Sequence, residues 1–233
     1  GCAAFTDLAA IIDQVDAVSV VVPTTAHLAV AEPLLSRGIH LLLEKPIAAT
    51  RGEGERIVAL ADQAGALLQI GHLERFNAGV MALAEHIDRP RFVETQRLGE
   101  FVERATDVDV VSDLMIHDLD IILSLMGSEL RSVSAVGTPV LTDQVDIANA
   151  RLEFANGAVA NAVASRVSDR LVPGASRPEI VRERIQVEPV KPLDREIEAF
   201  VACVREGRRP LVDGRVGLEA LDLALRVRDC MAR

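Results

Sequence analysis

The chain has 233 residues, 49% of them apolar and 26% charged, so it is long enough to bury the core of one large domain or of two small ones. Its formal net charge is −10 and its basic residues are scattered among acidic ones, which argues against nucleic acid as a partner. No apolar run approaches the roughly 20 residues that cross a bilayer, and no export signal is found, so the sequence predicts a soluble, cytoplasmic protein without a membrane partner.

The first part of the chain has the pattern of a parallel sheet wound by helices. A short helix is predicted over residues 7–13, and longer helices over 26–37 and 53–63. Apolar, β-branched runs predict strands buried on both faces at 16–22, 40–43 and 66–70. Because such strands and helices alternate with short connections, residues 1–80 predict a Rossmann-like α/β fold.

From about residue 90 the pattern changes to that of an α+β fold. A helix is predicted over 110–126, and strands at 91–97, 133–136, 148–154 and 158–164. Asn156-Gly157 is a strong hairpin signal between the last two strands, which indicates a mainly antiparallel sheet. Residues 168–192 hold four prolines and predict irregular structure, and helices are predicted after them at 194–205 and 217–230.

Glu44-Lys45-Pro46 directly follows the buried strand predicted at 40–43. The carboxyl end of a parallel strand lies at the edge where open α/β sheets bind ligands. Lys45 is one of only two lysines among 25 basic residues, and its compact ammonium changes proton affinity on burial, which arginine does not. We interpret Lys45 as a functional residue; the alternative is a solvated strand end with an ion pair.

A carboxylate and an imidazole lie four residues apart on the helix predicted at 110–126. This spacing puts Asp113 and His117 on one helix face, where the carboxylate can orient the imidazole and raise its basicity. Such a pair is suited to accept a proton near neutral pH, although it can also be a purely local helix contact. Asp118 and Asp120 are predicted on other faces, as solvent-exposed or capping groups.

Five motifs follow one another across nearly the whole chain. They are Asp16–His27, Glu44–Pro46, Gly71–Asn77, Asp113–Asp120, and Glu198-Ala-Phe with Gly207–Asp213. In order and spacing they resemble the Gfo/Idh/MocA oxidoreductases. The His-Leu-Glu-Arg-Phe-Asn and Asp-x-x-x-His-Asp-x-Asp forms are most similar to the branch that acts on nucleotide-linked amino sugars, such as UDP-N-acetylglucosamine dehydrogenases.

The resemblance implies how the site is divided along the chain. Residues 1–80 would be the C-terminal part of a domain that binds NAD or NADP, and residues 81–233 an α+β domain for substrate binding and for homo-oligomer formation through the antiparallel sheet. The implied catalytic residues are Lys45, Asp113 and His117. The implied cofactor contacts are Pro23, Thr24, Thr25, His27, Glu44, Lys45 and Pro46. The implied contacts of a sugar or nucleotide-sugar substrate are His72, Arg75, Phe76 and Asn77.

The chemistry implied is hydride transfer from a hydroxyl-bearing carbon to the nicotinamide. His117 would accept the hydroxyl proton, Asp113 would orient it, and Lys45 would stabilise the developing alkoxide. The three side chains should then converge to within roughly 4 to 8 Å. Arg75 suits a bidentate phosphate contact; its alternative role is a surface salt bridge over the buried ring of Phe76.

The Gly-x-Gly-x-x-Gly turn of the family does not occur in these residues. Gly52-Glu-Gly54 lacks the last glycine and carries carboxylates, and Thr50 and Glu53 fit a helix capping box instead. We therefore expect about 60 further residues before Gly1 in a complete member, and weak cofactor affinity for the 233 residues alone. The segment 168–184 is also shorter than the strands that the family carries there.

Two other functions stay open at this point. A non-catalytic remnant that serves as a dimerisation or binding module would explain the missing turn. A metal phosphohydrolase is suggested by His117-Asp118 with His72 and His86, but its all-helical ligand cage does not suit a strand-rich chain. The three cysteines form no Cys-x-x-Cys pair, so no metal site is predicted.

Overall fold

The structure is a computed structural model that describes residues 3–99, 108–167 and 191–231. The chain divides into two compact units, Gly1–His72 with Leu193–Leu221, and Leu73–Pro192 with Asp222–Arg233. Among the described residues, no helix has the length and apolar character needed to cross a membrane. The irregular structure predicted at 168–192 and the short segment 168–184 fall almost entirely outside the described residues.

The first unit contains a parallel sheet of three strands in the order β1-β2-β3. The strands are β1 (Ala17–Val20), β2 (His40–Glu44) and β3 (Leu68–Gly71), joined by helices α1 (His27–Leu35) and α2 (Arg51–Ala64). The alternation of strand and helix predicted from the sequence is confirmed. Leu41, Leu43 and Ile70 are fully buried, as expected for strands covered on both faces.

The ends of α2 are determined by local chemistry. Thr50 accepts a hydrogen bond from the Glu53 backbone amide, and the Glu53 carboxylate accepts one from the Thr50 amide, so the predicted capping box is present. Gly65 ends the helix with a φ of 64°.

The helix predicted over 7–13 is wrong: the segment forms two short 3₁₀ turns, Leu8–Ala10 and Ile12–Gln14. Only Ile12 is buried there, so no apolar stripe favours a continuous helix.

A late part of the chain belongs to the first unit. Helix α5 (Pro192–Glu206) and the start of helix α6 (Gly214–Met231) lie beside β3. Gln69 donates from its side chain to the Glu196 carbonyl at 3.3 Å, and the Ile70 amide donates to the Val212 carbonyl at 2.9 Å. The compact units therefore differ from the predicted division into 1–80 and 81–233, because the edge of β3 takes its partners from residues 196–213.

The second unit contains a four-stranded mixed sheet in the order β4-β7-β6-β5. Its strands are β4 (Phe92–Leu98), β5 (Leu130–Thr138), β6 (Ile147–Phe154) and β7 (Val159–Ser165). The pairs β5–β6 and β6–β7 are antiparallel and β4–β7 is parallel, so the mainly antiparallel sheet is confirmed. The predicted hairpin is also present, with Gly157 at a φ of 81°.

Small residues on one face of this sheet allow a helix to pack closely. Ala160, Ala162 and Ala164 of β7 are fully buried, and helix α4 (Ile116–Met126) contacts both β4 and β7. A single π-helical turn, Val111–Met115, precedes α4, so the predicted helix at 110–126 begins in a wider coil. Helix α3 (Ala78–His86) was not predicted; its apolar residues are spread around the helix and form no single stripe that would reveal it.

We predict that Gly217→Ala destabilises the protein, although alanine is the better helix former. A Cβ at Gly217 of α6 would lie 2.5 Å from Cγ1 and 3.0 Å from Cβ of Ile70 in β3. The branched Ile70 side chain cannot give way, so we expect a loss of about 1–3 kcal/mol in the free energy of unfolding. Gly52→Ala in α2 is the matched control, because a Cβ there would meet no packed neighbour within 4 Å. Urea unfolding in which both variants were equally stable would contradict the close packing of α6 on β3.

Candidate functional site

The carboxyl edge of the three parallel strands carries most of the residues predicted to contact the cofactor. Pro23 and Thr25 are exposed beyond β1, where Thr24–Ala26 forms a 3₁₀ turn. Glu44 ends β2, and the half-buried Lys45 and Pro46 follow it. His72 follows β3 and is buried. The parallel pairing therefore brings these segments to one edge, as the sequence predicts.

His27 lies behind this edge as a link between two backbone segments. It is fully buried, with Nε2 3.1 Å from the Val22 carbonyl oxygen and Nδ1 3.3 Å from the Ile47 carbonyl oxygen. These two carbonyls belong to the segments that follow β1 and β2. His27 thus holds together the two loops that carry Thr24 and Lys45, and its predicted direct contact with the cofactor stays a prediction.

Glu44 has a carboxylate neighbour that the sequence interpretation missed. The Oε2 atom of Glu44 lies 3.3 Å from the Lys45 amide. Gly71 leaves room for this oxygen, since a Cβ at position 71 would lie 3.0 Å from it. Glu196 of α5 is only 2% exposed, and burial, together with the charge of Glu44, raises its pKa to about 7. Glu196 shares its buried helix face with Phe200 and Cys203, so the helical phase of this glutamate could have revealed it.

A cavity of the first unit lies at the other end of the sheet. It has a volume of about 400 Å³ and is lined by α2, by Leu67 and Leu68 where β3 begins, and by residues 207–215. This is the amino edge of the parallel strands. Ligands of open α/β sheets bind at the carboxyl edge, so we place the candidate site with Thr24, Glu44 and Lys45 and not in this cavity.

In the second unit, the predicted acid–base pair lies at the start of α4. Asp113 belongs to the π turn and His117 to the first turn of the α-helix, and both are half-buried. Their neighbours Met115, Ile116 and Leu119 are fully buried. Asp113 and His117 are therefore only partly removed from solvent, on a helix whose fully buried residues form part of the core. Single π turns occur frequently at functional sites.

Asp109 anchors the beginning of this segment. Its Oδ1 accepts hydrogen bonds from the amides of Val111 and Ser112 at 3.0 and 3.1 Å, and its Oδ2 accepts from the Ser112 hydroxyl at 3.1 Å. Arg228 of α6 lies 3.1 Å from the same Oδ2. Asp109 is thus a buried cap that determines where the helix bearing Asp113 and His117 starts.

The residues predicted to contact the substrate have partners inside the second unit. The Arg75 guanidinium lies 3.6 Å from the Asp120 carboxylate, and both side chains are mostly buried. Phe76 is buried, and the Asn77 side chain accepts from the Gly79 amide at 2.9 Å to cap α3. Arg75 and Phe76 therefore fit the alternative interpretation, an ion pair beside a buried ring, except that the ion pair of Arg75 with Asp120 is mostly buried and not at the surface.

The expectation that Asp118 and Asp120 are solvent-exposed or capping groups is wrong. Their residues are 6% and 2% exposed, because arginines from outside the helix pair with them. Arg97 donates two hydrogen bonds to Asp118, of 2.8 and 3.1 Å, and Arg75 is the partner of Asp120. Burial raises the pKa of Asp120 to about 7, and the charge of Arg75 offsets only part of that effect.

Lys45 belongs to the first unit, and Asp113 and His117 belong to the second. Their convergence on one substrate stays a prediction. Within residues 3–99, 108–167 and 191–231, no three His, Cys, Asp or Glu side chains are grouped so that they could hold a metal ion. The ligand set that a metal phosphohydrolase would need is therefore not found in this part of the chain.

The pKa of Glu196 predicts how stability depends on pH. In the unfolded chain this carboxyl ionises near 4.5, and in the folded chain near 7, so folding loses stability as the pH rises between these values. Glu196→Gln removes the ionising group. We expect the variant to exceed the wild type by about 3 kcal/mol in free energy of unfolding at pH 8, and by less than about 1 kcal/mol at pH 5.

Urea denaturation at the two pH values measures this difference. Glu198→Gln is the control, because Glu198 lies on the same helix and is exposed. A gain from Glu196→Gln that is the same at pH 5 and pH 8 would contradict the raised pKa.

Family models match most of the chain. Residues 1–72 match the model of an oxidoreductase family with an NAD-binding Rossmann fold, and residues 79–181 match the GFO/IDH/MocA C-terminal domain. A UDP-N-acetylglucosamine 3-dehydrogenase of Acidithiobacillus ferrooxidans is 36% identical over 97% of this chain and 82% of that protein. A scyllo-inositol 2-dehydrogenase (NAD(+)) of Bacillus subtilis is 29% identical over 66% of this chain and 49% of that protein.

Solved structures give the same result. A structure of the UDP-N-acetylglucosamine 3-dehydrogenase from Acidithiobacillus ferrooxidans matches with a TM-score of 0.92 at 34% identity, over 99% of this chain and 83% of that one. The scyllo-inositol dehydrogenase of Lactobacillus casei with bound NAD(H) and scyllo-inositol has a TM-score of 0.80 at 20% identity, over 98% of this chain and 82% of that one, and shows the shared fold alone. The predicted family, fold, enzyme class and nicotinamide cofactor are confirmed.

Proposed function

This chain belongs to the Gfo/Idh/MocA family of oxidoreductases, and we propose that it oxidises a hydroxyl-bearing carbon of a nucleotide-linked amino sugar with NAD or NADP. The observation that carries the proposal is the half-buried Asp113–His117 pair at the start of a helix whose neighbouring residues Met115, Ile116 and Leu119 belong to the core. The resemblance of its motif to the amino-sugar branch, and the 36% identity to a UDP-N-acetylglucosamine 3-dehydrogenase, favour that substrate class over a free inositol or sugar.

The carboxyl edge of the first sheet suits the nicotinamide end of the cofactor. Thr24 and Thr25 offer hydroxyl groups there, and their loop is held in place by buried His27. Lys45 offers a cation beside the half-buried Glu44. We assign the cofactor contacts to Pro23, Thr24, Thr25, Glu44, Lys45 and Pro46. The cofactor itself supplies the hydride acceptor.

The chain's own residues would handle the proton and the developing charge. His117 accepts the proton of the substrate hydroxyl as its carbon loses hydride, and Asp113 orients the imidazole and stabilises its protonated form. The Lys45 ammonium stabilises the oxygen while it carries negative charge. For this the Lys45, Asp113 and His117 side chains must lie within roughly 4 to 8 Å of one another around the substrate.

We expect His117→Ala to lower kcat by about 10²–10⁴ and to change the KM for the sugar nucleotide only a few-fold, because proton transfer takes place in the transition state. The measurement is NADH formation from UDP-N-acetylglucosamine by the natural gene product that contains this chain. His86→Ala is the control, since His86 is an exposed histidine of the same unit whose ring contacts the Ala82 carbonyl. Equal losses in the two variants would rule out His117 as the base.

The second sheet offers a surface for the proposed homo-oligomer. Successive side chains of a strand point to opposite faces of the sheet, and the pairing register shows which residues of neighbouring strands share a face. The face opposite to α4 carries Phe92 and Leu98 of β4, Arg151 of β6 and Val136 of β5. Phe92, Leu98 and Val136 are 56%, 44% and 70% exposed. An open face that mixes apolar and polar groups is suited to a second copy of the same chain.

We expect Val136→Arg to shift the protein toward monomers, because the substitution would place a charge in the proposed contact between two copies. Light scattering after gel filtration measures the mass. Val140→Arg is the control, since Val140 is 52% exposed but lies in the loop after β5. A wild-type protein that is monomeric at working concentrations would refute the proposed oligomer.

A further inference from the structure

Arg97 carries its charge on the covered face of the second sheet. Exposure alternates along β4, and Arg97 shares the less exposed face with Val93 and Thr95, where core residues are expected. Its side chain is 28% exposed. Burial alone would lower its pKa, but hydrogen bonds and charge interactions with Asp118 and Glu74 raise the pKa overall. The guanidinium is therefore held by its two carboxylate partners.

Three nitrogens of Arg97 make specific contacts. Nε and one terminal nitrogen donate to the two oxygens of Asp118 at 3.1 and 2.8 Å, and the other terminal nitrogen donates to Glu74 at 3.1 Å. Both carboxylates are mostly removed from solvent, at 8% and 26% exposed. A planar guanidinium fork can meet this geometry, whereas an ammonium cannot.

The two partners of Arg97 lie beside proposed site residues. Asp118 directly follows His117 on α4, and Glu74 directly precedes Arg75 in the 3₁₀ turn Leu73–Phe76. Glu74 also accepts a hydrogen bond from the Asn77 side chain at 3.0 Å. A single side chain thus ties the segment 73–77 to the helix that carries the proposed base. All of these residues belong to the second unit.

Stability alone does not account for such an arrangement. Replacing a partly buried ion network by apolar residues of similar volume is often neutral or stabilising, so networks of this kind are better explained by the geometry that they hold. Here the geometry held is the relation between the segment 73–77, for which the family resemblance implies contact with the substrate, and the proposed base His117. A displacement of about 1 Å between such groups is enough to lower a rate by about 10².

We propose that Arg97 is a positioning residue, which holds the segment Leu73–Asn77 and helix α4 in the relation that places the bound sugar against His117. The proposal rests on the oxidoreductase function given above. It assigns to Arg97 no contact with substrate or cofactor. It also gives Asp118 and Glu74 a role as the two attachment points.

The test uses Arg97→Lys, which keeps the charge but cannot make the three contacts together. We expect kcat with UDP-N-acetylglucosamine to fall by about 10-fold or more, while the KM for NAD changes less than about twofold. Arg89→Lys is the matched control: Arg89 belongs to the same unit and pairs with Asp88 at 3.4 Å, but its side chain is 88% exposed. Its kcat should equal that of the wild type.

Combination with His117→Ala separates positioning from general loss of structure. If Arg97 acts through His117, Arg97→Lys lowers the residual rate of the His117→Ala enzyme by less than about twofold. Glu74→Gln supplies a milder variant that keeps the Asp118 pair and loosens only the segment 73–77. We expect it to raise the KM for the sugar nucleotide several-fold, and its effect should not add to that of Arg97→Lys.

Each outcome has a separate meaning. Two results with an active wild-type enzyme would overturn the positioning role and leave the oxidoreductase function intact. In the first, Arg97→Lys keeps the kcat of the wild type. In the second, Arg97→Lys lowers kcat by the same factor whether or not His117 is present. A wild-type gene product that oxidises no nucleotide sugar overturns the proposed function and, with it, this proposal.

Discussion

The parallel pairing of β1, β2 and β3 is the constraint on which the candidate cofactor edge depends. Parallel strands must be joined by crossovers, so each strand leaves the sheet at the same edge. Val20, Glu44 and Gly71 therefore end side by side, and the loops after them meet without any need for contact between their side chains. Buried His27 and the absence of a side chain at Gly71 then determine how closely these loops approach. The position of Lys45 is thus determined by the backbone hydrogen bonds between the parallel strands.

The second unit has to pack against a sheet a helix that carries two buried carboxylates, Asp118 and Asp120. The alanines of β7 let α4 approach closely, and Asp118 and Asp120 of this helix are both removed from water. An unpaired buried carboxylate is expensive, and here Arg97 and Arg75 supply the countercharges from β4 and from the 3₁₀ turn that follows His72. The ion pairs thus permit the burial of both carboxylates, whereas Asp113 and His117 stay half-buried.

The sequence predicts well those features that depend on local pattern, and poorly those that depend on distant partners. The three buried strands, the capping box at Thr50 and the hairpin at Gly157 follow from residues next to one another in the chain. The burial of Asp118 depends on Arg97, 21 residues away, and the place of α5 depends on Gln69, 127 residues from its partner. No periodicity encodes such pairs. Glu196 is the intermediate case, because its helical phase marks it as buried but nothing nearby shows the Glu44 that it approaches.

Among the residues that the structure describes, Glu196 of α5 and Asp120 of α4 are two carboxyl groups whose pKa is raised to about 7. In both cases burial is the main cause, so both groups gain from being protonated. Yet their neighbours act in opposite directions: Glu44 disfavours the charge on Glu196, whereas Arg75 favours the charge on Asp120. A carboxyl group that is half-ionised near neutral pH changes its charge when a neighbouring charge changes. Burial and the neighbouring charge therefore oppose one another at Asp120, whereas at Glu196 the two effects add.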